Sequence, residues 1–481
     1  MRSNPLIENS TPETGFGGSL STSLGVEYTP GSFHNEDSAA IRAAGFLRDA
    51  KYVRVQWVDL TNIVRFRVLP VEYFRRLLQT PRRGIAVGKV ALGLVNLVVA
   101  PGFSPIGEYL YTVDMSTMRP CPFAPGHVSV MGYFQEKVPV SDIVTGEAVV
   151  DVALCSRTIL KRIVAEAQTS LDVQFLVGFE SEFILHKSDF SESSPVMPVN
   201  LQHDWSTSAG LASGTVEATV MQEIADAIQA SGIELQHYHV EAAPGQYEVV
   251  TGPLPPLEAA DALIHTREII RNVASLHGLQ ATFAPRVFMD SAGSSTHTHI
   301  SVHSGRHTKT AEGLSMPEAS FLAALLEHLP AVPAITLPTR ESYKRMADGV
   351  WSGGTYVCWG TENREAPIRL TNAKSPHSRN FEVRCIDATA NPHLVLAAVL
   401  GAGLQGIRSK LPLEMPDCHG PESAAQMPAF KRALLCINKR LPLSWEVARD
   451  IFKTNAAMQT IFGQEFIEKY LAVNKARCPI L

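Results

Sequence analysis

The segment Val173-Gln-Phe-Leu-Val-Gly-Phe-Glu-Ser-Glu-Phe-Ile-Leu185 decides how the rest of the chain is read. Its odd positions, Val173, Phe175, Val177, Phe179, Phe183 and Leu185, are apolar, the period-two pattern of a strand with one face on a core. Glu180 and Glu182 therefore share the opposite face, where two carboxylates repel unless a cation or a basic side chain stands between them. The same oddity recurs in three further candidate strands. His237, His239 and Glu241 share a face, and a turn at Pro244-Gly245 leads to Gln246 and Glu248 on one face. His297, His299, Ser301 and His303 alternate with apolar residues, and Glu382 and Arg384 alternate with Phe381 and Val383. Any one of these could be a solvated strand face, and a lone histidine is more often structural than a ligand. Four together predict one sheet with a polar concave side.

Ligand chemistry follows from the residue types. Five glutamates and one or two histidines, with no cysteine, favour hard divalent cations such as Mg²⁺ or Mn²⁺ over zinc or copper. Six side chains exceed what one Mg²⁺ takes, so two or more ions are implied, as in sites that clamp a transferring phosphoryl group. Arg340, Lys344, Arg345, Arg364, Arg369 and Arg384 are interleaved with these acids, and guanidinium forks suit phosphate and carboxylate. There is no GxxxxGK[ST] loop and no GxGxxG after a strand, so a nucleotide would be held by metals and arginines.

Outward from these strands, 481 residues allow two or three domains at roughly 150 residues each. With 45% apolar and 19% charged residues the composition is globular. A net charge of −5 argues against a nucleic-acid partner held by bulk charge. Apolar runs at Val90–Ala100 and Leu394–Leu404 are shorter than the roughly 18 residues of a membrane span. The amino terminus lacks a signal-peptide core, and the seven cysteines are scattered and odd in number, so reduced thiols and a cytoplasmic location are expected.

Residues 1–37, rich in Gly, Ser, Thr and Pro, are expected to be a flexible leader. A helix over Ala39–Ala50 and a hairpin over Tyr52–Val68 then open a β-rich unit of residues 38–140. Residues 141–481 alternate strands with amphipathic helices at Cys155–Thr169, Leu257–His277 and Glu318–Leu329 and an all-apolar helix at His393–Ile407, an α/β or α+β pattern.

Taken together, Gly178-Phe-Glu-Ser-Glu-Phe183, Glu241-Ala-Ala-Pro-Gly-Gln-Tyr-Glu248, Gly293-Ser-Ser-Thr-His-Thr-His299, Ser342-Tyr-Lys-Arg345, Asn363-Arg-Glu-Ala-Pro-Ile-Arg369 and Phe381-Glu-Val-Arg384 make a chain that resembles the glutamine synthetase family over roughly residues 40 to 470. The resemblance implies an α+β protein: a small amino-terminal β-grasp domain, then a catalytic domain of the kind shared with guanido (phosphagen) kinases, its curved antiparallel sheet backed by helices. It implies Glu182, Glu241 and Glu248 on a first metal, and Glu180, His297 and Glu382 on a second that bridges to the nucleotide. His299, Ser301 and Arg369 match nucleotide positions. Gly293 and Arg345 match positions that hold glutamate, while Arg364 and Arg384 match arginines at the transferring phosphate and the γ-carboxylate, with Arg345 and Arg364 as catalytic arginines. The implied chemistry is phosphorylation of a carboxylate by ATP and attack of an amine on the acyl phosphate, in a ring-like homo-oligomer.

Departures from the family fall on the amine site and on part of the acid site. The flap glutamate expected six residues after Arg345 is Trp351, a candidate substrate-binding residue here. The stretch Gly84-Ile-Ala-Val-Gly-Lys-Val-Ala91, where the family carries an ammonium-site acid, has none, and an Asn-Gly pair that contacts glutamate in the family reads Ala292-Gly293. The expectation is a ligase joining glutamate or a similar acid to an organic amine. Its alternatives are a glutamine synthetase with a rebuilt ammonium site, a catalytically weak regulatory or scaffold protein, and a kinase that stops at phosphoryl transfer.

Overall fold

The computed structural model describes residues 24–33, 36–141, 146–187, 196–202, 204–307, 309–310, 312–349 and 353–477. Of the leader expected over 1–37, residues 1–23 and 34–35 lie outside the described residues. Residues 24–33 are tethered rather than free. The Leu24 amide donates to Ser375 Oγ at 3.0 Å, and the Tyr28 hydroxyl donates to the Glu234 carboxylate and accepts from Gln236.

The first sheet is built from β1 (Tyr52–Val58), β2 (Val64–Pro70) and β3 (Gly84–Gly88), then, past a small hairpin of β4 (Leu94–Val95) and β5 (Val98–Val99), from β6 (Glu108–Pro120), β7 (His127–Ser141) and β8 (Ala148–Asp151). Its order is β2-β1-β7-β6-β3, with β8 beside β7. The sheet thus continues past residue 140, where the sequence pattern fades. The predicted hairpin is β1–β2. Asp59 makes its turn: Oδ1 accepts from the Thr61 amide, the Thr61 hydroxyl and the Ile63 amide at 2.7–3.0 Å, while Asn62 takes a left-handed φ of 64°.

The second sheet comprises β9 (Val173–Lys187), β10 (Leu235–Val240), β11 (Gln246–Leu254), β12 (Leu279–Thr282), β13 (Thr298–Ser304), β14 (Trp359–Thr361), β15 (Ile368–Thr371) and β16 (Asn380–Val383). The order is β10-β11-β9-β13-β16-β15-β14, with β12 pairing β9. β9, the deciding segment, lies inside the sheet, and it differs from a simple two-faced strand because Leu176 and Ile184 are buried as well. The sheet is not wholly antiparallel either: β14 runs parallel to β15. A turn at Asn363–Ala366 returns the chain to the starting end of β14 before β15 begins, and strands of three or four residues carry no sequence signal of direction.

The helix Pro392–Ser409 is buried along almost its whole length, as its composition predicts. Asn391 caps it by accepting from the His393 and Leu394 amides, and Lys410 ends it in the left-handed conformation. It packs on the helix Met316–His328 at Gly406, where a Cβ would come within 2.0 Å of the Ser320 carbonyl oxygen, so only glycine permits this approach.

Arg157 ties the two sheets together. Its guanidinium donates to Gly132 O on β7 and Asp114 on β6, each at 3.1 Å, and to Asp261 on the helix Pro256–Leu276 at 2.8 and 3.0 Å. His393 Nε2 meets Asp261 from the other side at 2.7 Å. One continuous apolar core runs from Val53 and Val55 of β1 to Leu396 and Val399 of the buried helix.

Candidate metal and nucleotide site

Strand register brings the acids together. Glu248 of β11 lies directly opposite Glu182 of β9, and His239 of β10 lies opposite Glu248, which makes one row across three strands. In a second row, His299 of β13 pairs with Glu382 of β16, and Glu382 pairs with Arg369 of β15. Glu180 sits between the rows, its amide bonded to His297 O at 3.1 Å. Glu241 follows the last residue of β10 and stays beside β11 because its amide donates to Gln246 O at 2.8 Å.

Among the described residues, three groups hold ligand atoms all within 4.8 Å of one another: Glu180, His297 and Glu382; His239, Glu241 and Glu248; and Glu180, Glu182 and Glu248. His297 Nδ1 is the hub of the first, 2.7 Å from Glu180 Oε2, 3.5 Å from Glu382 Oε1 and 3.8 Å from Glu182 Oε1. Glu182, Glu241 and Glu248 do not form one group. Glu248 instead belongs to two, one with Glu182 and one with Glu241.

Burial and mutual repulsion set the protonation of this cluster. Glu248 is held well above the usual carboxylate range by burial and by the charges of Glu180, Glu182, Glu241 and Glu382. Glu241 is pushed up to about 7 by burial and by Glu182. Against their burial, Glu180 is lowered by hydrogen bonds from His297 and His299, and Glu382 by Arg384 and the two histidines. Although burial opposes it, the hydrogen bond and charge of Glu180 raise His299 to about 9; its Nε2 lies 2.9 Å from Glu180 and its Nδ1 2.8 Å from Asn380.

The predicted basic residues divide. Arg384 bonds Glu382, and Arg369 bonds Glu382 at 3.0 Å and Glu362 at 2.5 Å, so both lie at the cluster. Arg345 is buried with Nη1 on Ile386 O at 3.2 Å and its Nε unpartnered. Gly293 abuts it: a Cβ there would meet Pro285 O at 2.6 Å and Arg345 Cγ at 2.8 Å. Arg364 is exposed, and its charge helps hold His239 below its ordinary range, after burial and His237. Ser301 shares a 2.8 Å hydrogen bond with His303. Trp351 lies outside the described residues.

Supporting residues surround these acids, and of them Trp205 was not read from the sequence. Ser295 bonds Glu182 through amide and hydroxyl, and buried Gln246 donates to Ser294 Oγ at 3.0 Å and Gly293 O at 3.1 Å. Trp205 donates from Nε1 to Glu241 Oε1 at 3.0 Å. Ser294 and Ser295 lie within the motif Gly293–His299 and Gln246 within Glu241–Glu248, whereas Trp205, in an aperiodic stretch, carried no signal. His239 did, since it alternates with Glu241.

The donor set suits a hard divalent cation: clustered buried carboxylates whose repulsion a cation would relieve, and an imidazole turned toward them, with His297 Nε2 buried and unpartnered.

Comparison with known proteins agrees with the motifs. The family model "Glutamine synthetase, catalytic domain" matches residues 153–478. Protein fluG of Emericella nidulans is 33% identical over 430 residues, 89% of this chain and 46% of that protein, so the chain spans less than half of that relative. Gamma-glutamylpolyamine synthetase GlnA3 of Streptomyces coelicolor is 31% identical over 329 residues, 66% of this chain and 68% of that protein. The solved GmaS/ADP complex shares the fold, with a TM-score of 0.72 at 22% identity over 91% of this chain and 95% of that one.

Proposed function

The chain belongs to the glutamine synthetase family, whose members are ATP-dependent ligases that use Mg²⁺ or Mn²⁺, and on that premise we propose that it joins the γ-carboxylate of glutamate, or a similar acid, to an organic amine. The observation that carries this is a contrast. Acids and arginines for phosphoryl transfer gather within one cluster, whereas the stretch Gly84–Ala91 offers no acid, its Lys89 instead pairing with Glu136 at 2.8 Å. One named relative, gamma-glutamylpolyamine synthetase GlnA3, supports an amine other than ammonia.

Glu180, His297 and Glu382, which lie together, would hold one ion; the family resemblance assigns Glu182, Glu241 and Glu248 to another, although Glu248 here groups with Glu182 and with Glu241 separately, and with His239 beside Glu241. Bound there, the ions supply charge neutralisation for the transferring phosphoryl group. Arg369, already bonded to Glu382, and His299, charged beside Glu180, face phosphate oxygens, with Ser301 near the nucleotide. Arg345 and Gly293 bind the acid substrate and Arg384 its γ-carboxylate. Arg364 adds positive charge at the phosphoryl in flight. The carboxylate oxygen takes the γ-phosphoryl and releases ADP. The amine lone pair then attacks the acyl carbon, phosphate leaves, and the amine gives up a proton.

An amine has to enter this site without the family's acids, and Trp351 in place of the flap glutamate offers an apolar face instead. A homo-oligomer in which a neighbouring subunit closes the site, and a cytoplasmic location, belong to the same proposal. ADP release measured with glutamate and each of a series of amines tests it. Release that requires both substrates, with formation of the γ-glutamyl amide, is expected; release that ignores the amine overturns it in favour of a kinase, and no release at all in favour of a scaffold.

A further inference from the structure

Trp205 stands at the edge of the acidic cluster with 60% of its surface exposed. That exposure is unusual for an indole held in place on several sides. Its Nε1 donates to Glu241 Oε1 at 3.0 Å, and its ring meets His239 edge-on with centroids 5.8 Å apart. His237 stacks edge-on against His239 at 5.7 Å, which extends the aromatic surface along β10. The backbone beneath is fixed without the indole: the Ser206 amide donates to Val240 O at 2.9 Å, and the Tyr247 hydroxyl donates to Gly210 O at 3.2 Å. The loop therefore does not need the tryptophan to hold its shape, and the tryptophan gains little from burial.

An aromatic face that is fixed, open and adjacent to carboxylates has a definite chemistry. The π face and apolar edge of an indole accommodate the carbon chain of an amine that approaches beside the ion-holding acids, adding cation–π attraction where a protonated head passes over the ring. Ammonia and methylamine have no chain to place there. We propose that Trp205 forms one wall of the acceptor-amine subsite and selects primary amines with an extended carbon chain over ammonia and methylamine. This rests on the ligase function proposed above. The indole makes no bond in the reaction: it is a specificity-determining residue, and its hydrogen bond to Glu241 places the wall at a fixed distance from the acids.

Steady-state kinetics of the full chain with ATP, Mg²⁺, glutamate and each of ammonia, methylamine and butylamine separates the possibilities. Trp205→Ala is expected to raise KM for butylamine about tenfold, the size of one lost aromatic contact. Any change in KM for methylamine, ATP or Mg²⁺ that follows from losing the hydrogen bond to Glu241 should be several-fold smaller than the change for butylamine. Trp205→Phe keeps the face and loses the N–H, and should restore most of the butylamine preference. Trp205→Arg, a second variant that covers the rim yet repels an ammonium, should raise KM for butylamine at least as much as Trp205→Ala. Equal changes for methylamine and butylamine, or a change confined to Mg²⁺, would show that the indole only orients Glu241 and would overturn the proposal while leaving the ligase function standing. An unmodified protein that turns over ammonia better than both amines would instead overturn the organic-amine reading from which it starts.

Discussion

In the proposed two-ion site, Glu182 and Glu382 are single carboxylates on which the chemistry would depend. Both are almost wholly buried, and each is held by a specific donor, Ser295 for one and Arg384 for the other. Removing either would strip a proposed metal ligand and leave the remaining acids repelling one another. Glu182→Ala and Glu382→Ala are expected to lose most ADP release at saturating Mg²⁺ while keeping the parent circular-dichroism spectrum; near-normal turnover in either would break the two-ion assignment. A pH dependence follows from Glu241 and Glu248. Their carboxyls are raised, Glu241 to about 7, so protons and cations compete for the same oxygens and cation binding expels the protons. Mn²⁺ affinity should rise as pH increases from 6 to 8, and calorimetry in two buffers of different ionisation enthalpy should register proton release; an affinity flat across that range would show these carboxyls already ionised. At this scale the sequence was informative wherever period two applied. Glu180, Glu182, His297, His299 and Glu382 were legible because a strand forces alternate side chains onto one face. Trp205 was not, because nothing in a loop's sequence says which strand end it folds against.

Elements were legible in proportion to their length. The buried helix Pro392–Ser409 and the helix Pro256–Leu276 could be read from composition and spacing, as could the hairpin β1–β2 from the polar break at Thr61–Asn62. The parallel pairing of β14 with β15 could not, since it is set by the loop between them and by contacts with distant segments such as Cys418, whose amide donates to Trp359 O. The contact of two helices at Gly406 gives a test at this scale. In an exposed helix Gly→Ala would gain about 1 kcal/mol of propensity. Here the added Cβ meets the Ser320 carbonyl, and overpacking costs about 1–3 kcal/mol. Gly406→Ala should therefore lower Tm; an unchanged or raised Tm would mean that the helices separate freely.

The whole molecule is held by Arg157 and Asp261, buried groups that connect the first sheet to the helices behind the second. That link fixes one sheet against the other, which matters if a neighbouring subunit's first sheet completes the site. Members of the family are generally oligomeric, and no interface was legible in the sequence. Light scattering is expected to show an oligomer at the concentrations where the protein is active; a monomer with full activity would exclude a site shared between subunits. The central claim, that a phosphoryl-transfer site of this family has been turned to an organic amine, is tested most directly by kcat/KM for ammonia against a panel of primary amines at fixed ATP, Mg²⁺ and glutamate. At least one organic amine should exceed ammonia clearly. Efficient glutamine formation, with no amine outperforming ammonia, would contradict it.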